Sequence, residues 1–263
     1  MYTDSHCHLN RLDLTRYDGN LDRALQAARD AGVTRFLAVA VDLDDCSELA
    51  AIAAAHHDVG YSVGVHPCED PEMMSRASIE YLCELAQAPK VWAIGETGLD
   101  FYHSTDHVAE QKACFARHIE VGKKVAKPII VHTRSAKHDT IDLLRAEQAS
   151  HGILHCFTED WDTARAALDL GFYISFSGII SFKNAQSLRD VAKQVPKDRV
   201  LIETDSPYLA PMPYRSKPNE PLYLPFVAQA LADVYGMSQQ ELAHITQQNF
   251  ERLLSEHLPV GAH

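Results

Sequence analysis

Histidine and carboxylate residues recur where apolar, strand-like segments of this sequence end. They are His6 and His8 after the first such segment, His66 after the third, Glu96 after the fourth, His132 after the fifth, His155 after the sixth and Asp205 after the eighth. Imidazole together with carboxylate suits Zn²⁺, Mn²⁺, Fe²⁺ or Co²⁺, and is less typical of Ca²⁺. The residue types therefore predict divalent-metal chemistry.

The spacing of His6 and His8 has a physical reading of its own. Side chains two residues apart on a strand point to the same face, so both imidazoles can reach one cation. Taken alone, an HxH pair often arises by chance. The whole set is harder to explain as core packing, because desolvating so many unpaired polar groups is costly.

The segments that precede these residues are rich in apolar and β-branched side chains, as in parallel strands covered on both faces. Eight such strands are predicted, over residues 2–8, 35–41, 61–65, 91–95, 129–131, 152–156, 172–176 and 200–203. Apolar residues at helical spacing are found between or after them over 21–28, 49–56, 79–86, 188–195 and 227–234. A final helix is predicted to open with the capping box Ser238-x-x-Glu241.

Alternating strands and helices predict either a barrel or a doubly wound sheet. The glycine-rich nucleotide motifs GxGxxG and GxxxxGK[ST] are absent, which favours the barrel. We therefore expect one α/β domain over residues 1–263, a (β/α)₈ TIM-like barrel. The carboxyl ends of its strands share one rim, where active sites of this fold lie, so the distant histidines and carboxylates would converge there.

Composition narrows the class of protein further. The amino terminus has neither a basic nor an apolar leader segment, and no apolar run approaches the ~18 residues of a membrane span, so we expect a cytoplasmic protein without membrane contact. Six cysteines lack CxxC spacing and are expected to be reduced packing residues. The sequence leaves the oligomeric state open, a monomer included.

The formal net charge of −12 argues against nucleic-acid binding by bulk electrostatics. It does not exclude local positive charge, because two divalent cations would outweigh the two carboxylates and favour an anionic substrate. Basic residues that follow strand ends could form a cationic rim: Arg134, Lys137, Lys183, Arg215 and Lys217. Asp205 is the candidate to hold the attacking water and accept its proton.

These residues occur in segments that resemble the TatD family of metal-dependent deoxyribonucleases, within the amidohydrolase-like superfamily. The segments are DSHCHL, GVHP, GETGLDF, IVHTR, LHCFT, FYISFSGIISF, ETDSPYLAP and RSKPNEP, in the expected order over nearly the whole chain. The resemblance implies a TIM-like barrel that binds one or two divalent cations, with Mg²⁺, Mn²⁺ and Zn²⁺ as candidates.

The resemblance also implies roles for individual residues. Glu96 would bridge the metals, His66 and Arg134 would face the substrate phosphate, and Glu203 would orient ligands as a hydrogen-bonding partner. The implied metal ligands are His6, His8, Glu96, His132, His155 and Asp205. The implied activity is the removal of nucleotides from DNA ends in a 3′–5′ exonuclease-like manner, with single-stranded DNA as the expected substrate.

Two other functions remain open from the sequence. One is hydrolysis of a carboxyl ester or amide, as in an aminoacyl-tRNA deacylase or a lactonase, which could use the same metal-activated water. The other is a non-catalytic, metal-binding scaffold, which the loss of a ligand position would favour. The phosphotriesterase-type branch of the superfamily is disfavoured, because it bridges its metals with a modified lysine where this chain has Glu96.

Overall fold

The computed structural model describes residues 1–103 and 105–255. Eight parallel strands follow one another around a nearly closed barrel in chain order, which confirms the predicted fold. The strands are β1 (Tyr2–Cys7), β2 (Val33–Ala38), β3 (Val59–Val63), β4 (Val91–Asp100), β5 (Ile129–Arg134), β6 (Gly152–Leu154), β7 (Tyr173–Phe176) and β8 (Val200–Ile202). The single domain expected from the sequence also includes residues 256–263, which lie outside the described residues.

Helices surround the strands. They are α1 (Leu21–Asp30), α2 (Asp45–Ala55), α3 (Pro71–Arg76), α4 (Ile79–Leu85), α5 (Val108–Val125), α6 (Lys137–Ala146), α7 (Trp161–Asp169), α8 (Gln186–Ala192), α9 (Leu224–Tyr235) and α10 (Gln239–Ser255). The capping box at the start of α10 forms as predicted: Ser238 Oγ accepts the Glu241 N–H, and the Glu241 carboxylate accepts the Ser238 N–H. None of the described helices is long and apolar enough to span a bilayer.

Side chains of alternate residues build two apolar layers. Phe36, Val131 and Ile174 belong to the large outer layer between strands and helices. Leu37 and Ile130 belong to a smaller inner cluster, which Phe250 and Leu253 of α10 complete. Asn249 of α10 donates to the Val200 carbonyl at 2.8 Å, which places α10 at the amino end of β8. The inner apolar cluster therefore fills the amino end of the barrel, and polar residues occupy the carboxyl end.

Polar contacts between β1 and β8 bring the two ends of the sheet together. Buried Asp4 accepts hydrogen bonds from the Thr204 N–H at 2.9 Å and from Thr204 Oγ1 at 2.6 Å. Ser5 Oγ donates to the Ile202 carbonyl at 3.0 Å. These contacts hold the carboxyl end of β1 beside the segment that carries Asp205.

Strand β4 continues five residues past its predicted end at Gly95 and pairs with β5 as far as Asp100. Gly98 makes this pairing possible. Its φ of +138° is one that residues with a side chain rarely adopt, and an added Cβ would lie 2.0 Å from the His132 carbonyl oxygen. The glycine therefore lets the backbone of β4 approach β5 beside His132.

Candidate metal centre

A cavity of about 710 Å³ opens at the carboxyl end of the barrel. Five of the predicted ligands line it: His8, Glu96, His132, His155 and Asp205. The sixth, His6, is fully buried beside them, with its Nε2 3.3 Å from His8 Nε2. The structure thus brings together six side chains from five strands or their carboxyl ends.

Glu96 lies between two groups of imidazoles. Its Oε2 is 3.2 Å from His6 Nε2 and 3.9 Å from His8 Nε2. Its Oε1 is 2.7 Å from His155 Nε2 and 3.1 Å from His132 Nδ1. Burial works to raise the pKa of Glu96, but the surrounding imidazoles hold it well below its usual range, so both oxygens carry negative charge.

Asp205 approaches the imidazoles of His6 and His8 through one carboxylate oxygen. Its Oδ1 is 3.5 Å from His8 Nε2 and 3.7 Å from His6 Nε2. The residue has a left-handed backbone with φ of 56°, and its N–H donates to the His6 carbonyl at 2.9 Å. Burial opposes ionisation of Asp205, yet the hydrogen bond to His8 and the nearby imidazoles lower its pKa below the usual value. Asp205 is therefore a carboxylate at neutral pH.

The imidazole rings of His8 and His155 each make a hydrogen bond through Nδ1, the nitrogen that points away from Glu96. These hydrogen bonds determine on which nitrogen the lone pair of the neutral ring lies. His8 Nδ1 lies 2.9 Å from the Val39 carbonyl oxygen, which can only accept, so the Nδ1 carries the proton. His155 Nδ1 lies 3.3 Å from Glu203 Oε1, which also accepts the Cys156 N–H at 2.7 Å. In its neutral form each ring therefore has its lone pair on Nε2, toward Glu96, and Glu203 lies where a residue that orients His155 is needed.

His132 is held by a residue that the sequence analysis did not single out. Its Nε2 lies 3.1 Å from Asp100 Oδ2, which leaves Nδ1 to face Glu96. Asp100 is fully buried, and its Oδ1 accepts the N–H groups of Tyr102 and His103, each at 2.9 Å. Its place at the end of the GETGLDF segment was a usable signal, but the strand was predicted to stop at Gly95.

In His66 the ring proton of the neutral form is on the other nitrogen than in His8 and His155. Its Nδ1 accepts the Cys68 N–H at 3.0 Å, so the ring proton of the neutral form is on Nε2, 3.5 Å from Glu96 Oε1. Burial lowers the pKa of His66 to about 3, so the ring is neutral near pH 7. His66 therefore presents a hydrogen-bond donor to the cavity, whereas a metal ligand presents a lone pair.

The donor set fits divalent cations. The buried Nε2 of His155 makes no hydrogen bond although Glu96 Oε1 is only 2.7 Å away, and the Nε2 atoms of His6 and His8 face each other at 3.3 Å. Nitrogen and oxygen lone pairs at such separations repel unless protons or a cation lie between them. His6, His8 and Glu96 form one group of three donors whose ligand atoms all lie within 4.8 Å of one another.

The expected cationic rim is smaller than the sequence suggested. Arg134 lines the cavity, with its guanidinium 4.0 Å from the centre of the Tyr102 ring. Lys137 instead forms an ion pair with Asp160. Arg215 stacks 4.3 Å from the centre of the Phe182 ring, and the cavity wall built by the described residues includes neither of these two, nor Lys183 or Lys217.

Comparisons with known proteins agree with this architecture. Residues 3–255 match the family model described as TatD related DNase. An Escherichia coli K12 protein named as an uncharacterized metal-dependent hydrolase, YcfH, is 45% identical over 252 residues, which cover 95% of this chain and 94% of the relative. The protein named 3′-5′ ssDNA/RNA exonuclease TatD of Klebsiella pneumoniae is 32% identical over 249 residues, with coverage of 92% and 94%.

Among solved structures, the fold is similar to that of the TatD homologue YJJV from Escherichia coli K12. The TM-score is 0.86 at 23% identity, over 96% of this chain and 97% of the other. At that level of identity the similarity concerns the fold.

Proposed function

Because the chain belongs to the family of TatD-related DNases, whose relatives are named as metal-dependent hydrolases, we propose that it removes nucleotides from the ends of single-stranded DNA. The observation that carries this proposal is the position of Glu96, with one oxygen toward each of two groups of imidazoles. Such a bridging carboxylate suits a pair of cations, and paired cations are a recurrent means of cleaving phosphodiesters.

We assign His6, His8 and Asp205 to one cation and His132 and His155 to the other, with Glu96 shared between them. Bound cations would supply Lewis acidity toward a phosphoryl oxygen and lower the pKa of water. Asp205, an ionised and partly accessible carboxylate, accepts the proton of the attacking water. Glu203 accepts the Nδ1–H of His155, so the lone pair of the neutral ring lies on Nε2, where a cation would bind.

Two further residues are assigned to the substrate phosphate. The Nε2–H of neutral His66 donates to a non-bridging oxygen, and the Arg134 guanidinium adds a positive charge at the cavity wall. A neutral donor is suited to this place, because it contributes a hydrogen bond without repelling the cations.

Aromatic side chains in the cavity wall and beside it support an unpaired strand as the substrate. Tyr208 lines the cavity and is 52% exposed, and Tyr102 beneath Arg134 is 64% exposed. Bases of single strands stack on such rings, whereas paired bases in a duplex do not expose their faces. The name of the Klebsiella pneumoniae relative favours the 3′ end as the site of attack.

The test is digestion of two single-stranded DNAs of equal length, one linear and end-labelled and the other circular, with Mg²⁺ or Mn²⁺. We expect stepwise shortening of the linear strand from its 3′ end and no cleavage of the circle. Equal cleavage of the circle would contradict attack at ends. Cleavage of neither, with rapid hydrolysis of an aminoacyl ester or a lactone in parallel, would favour a carboxyl-ester hydrolase instead.

A further inference from the structure

A second cluster of potential metal ligands lies at the edge of the cavity and includes none of the six residues assigned above. Cys68 Sγ is 3.5 Å from Asp100 Oδ2 and 3.7 Å from His103 Nδ1. Asp100 Oδ2 and His103 Nδ1 are 2.8 Å apart. A thiol, a carboxylate and an imidazole thus converge from the β3–α3 loop, the end of β4 and the segment after it.

The separations approach those of a tetrahedral zinc site. With Zn–S bonds of about 2.3 Å and Zn–N or Zn–O bonds of about 2.0–2.2 Å, donors of a tetrahedron lie roughly 3.3–3.7 Å apart. Both distances from Cys68 Sγ are already close to this range, at 3.5 and 3.7 Å. Only the carboxylate and the imidazole have to separate, from 2.8 Å, by about half an ångström.

We propose that Cys68, Asp100 and His103 form a further Zn²⁺ site, separate from the centre around Glu96. The thiolate gives this site a preference for soft cations that the imidazole and carboxylate ligands of the main centre do not share. When Zn²⁺ binds, the Cys68 thiol releases its proton to solvent, and neutral His103 carries its ring proton on Nε2 instead of Nδ1. The exchange is redox-neutral and releases one proton per cation.

The site is accessible from solvent. Cys68 and His103 are both exposed, and they line the main cavity as well as an outer groove of about 280 Å³. His107 and Glu69 also line this groove. The fourth coordination position is therefore open to water or to one of these two side chains.

Asp100 couples the site to the main centre. The oxygen that would bind Zn²⁺, Oδ2, is the one that holds His132 Nε2 at 3.1 Å. A cation on Oδ2 draws electron density away from this hydrogen bond and displaces the oxygen from the imidazole. Because such outer partners orient ligands and tune their basicity, Zn²⁺ at this site should inhibit the enzyme.

Spectroscopy with Co²⁺ tests the site without relying on catalysis. Co²⁺ bound to a thiolate gives a sulfur-to-metal charge-transfer absorption, and the centre around Glu96 contains no sulfur ligand. We expect this absorption in the full-length protein and its loss in Cys68→Ser, which keeps the backbone N–H that His66 accepts. Cys83→Ser and Cys156→Ser are the matched controls and should retain it.

Inhibition supplies the second readout. Excess Zn²⁺ should lower turnover of the wild type by roughly 10-fold or more, and Cys68→Ser and His103→Ala should resist it. Absence of the charge-transfer band in the wild type, or its survival in Cys68→Ser, would overturn the proposal and leave the three residues as a hydrogen-bond network that anchors His132. The band does not depend on the substrate, so its outcome is separate from that of the DNA digestion.

Discussion

The carboxylates of Glu96 and Asp205 differ in their accessibility to water. The Glu96 side chain is 3% exposed and has imidazoles at both oxygens. The Asp205 side chain is 11% exposed, lines the cavity and follows β8 on a left-handed residue. Aspartate tolerates this conformation better than most residues, which helps to direct a carboxylate at the cavity. Water from the cavity can therefore reach Asp205 more readily than Glu96.

Replacement of Asp205 tests its role as the proton acceptor. Asp205→Asn keeps the size of the side chain but removes its charge and basicity. We expect kcat to fall by about 10²- to 10⁴-fold with little change in KM, because general-base catalysis contributes about that much. Steady-state kinetics on a labelled oligonucleotide measure this, with the exposed Asp162→Asn as the control. A loss confined to KM would contradict the assignment.

Tyr208 is predicted to stack on a base of the substrate. Tyr208→Ala should raise KM for single-stranded oligonucleotides by roughly 5- to 150-fold, because stacking contributes about 1–3 kcal/mol per base, while Tyr208→Phe should leave KM nearly unchanged. An oligonucleotide with abasic terminal positions serves as the comparison, since the alanine variant should cleave it as well as the wild type does. Equal effects of Tyr208→Ala on both substrates would argue against stacking.

Candidate ligands at the ends of predicted strands could be identified from the sequence. Their positions follow from the strand boundaries and from the geometry of a barrel. His6, His132 and Asp205 are examples. The proton arrangement of His66 was not accessible, since it depends on a hydrogen bond from the Cys68 backbone that forms only in the folded loop. Asp100 was missed for a similar reason, because Gly98 allows β4 to continue to it.

Among the secondary-structure elements, α5 shows why the spacing of apolar residues does not predict every helix. This helix of 18 residues was not among the predicted ones, because its buried face includes the polar residues Gln111 and His118. Gln111 Oε1 accepts the Asp100 N–H at 2.9 Å, and its Nε2 donates to the Asp100 carbonyl at 3.2 Å. His118 Nε2 accepts the Val65 N–H at 3.1 Å, and its Nδ1 donates to the Cys114 carbonyl. The helix supports the site through polar side chains that an apolar pattern does not reveal.

Buried His118 makes stability depend on pH. Burial lowers its pKa from 6.5 to about 4. Between these values the unfolded chain binds a proton that the folded protein does not. The contribution of His118 is therefore fully present above about pH 6.5 and is lost as the pH falls toward 4, by up to about 3 kcal/mol.

Urea unfolding of the wild type and of His118→Asn between pH 7 and pH 4 measures this effect. The free energy of unfolding of the wild type should decrease more steeply with acidification than that of the variant, in which the other histidines titrate as before. Parallel pH profiles for the two proteins would show that His118 is not a buried neutral histidine.

At the scale of the whole molecule, the net charge of −12 opposes the approach of an extended polyanion. Repulsion between exposed charges is screened beyond a Debye length of about 8 Å at physiological salt. The proposed contacts of substrate phosphates with bound cations, His66 and Arg134 would act at shorter range. This balance favours a small footprint of a few nucleotides at the end of a strand.

Salt dependence measures the footprint. With about two or three phosphate contacts on a single strand, the slope of log(kcat/KM) against log[salt] should lie at about −1.4 to −2.1, since each contact contributes about −0.7. A series at constant Mn²⁺ with varied KCl gives the slope. A value several times steeper would indicate an extended basic surface, which the cavity wall of the described residues does not provide.

The central claim is that cations held around Glu96 perform the chemistry and that the barrel does not need them to fold. Its apolar layers lie between strands and helices and at the opposite end of the barrel from the site. The most direct measurement is chelation of the purified protein, with metal content, far-UV circular dichroism and DNA cleavage recorded on the same sample. We expect cleavage to cease as metal is lost, the dichroism spectrum to remain native, and Mn²⁺ to restore activity in the wild type but not in Glu96→Gln. Undiminished cleavage by metal-free protein, or global unfolding on chelation, would contradict the account.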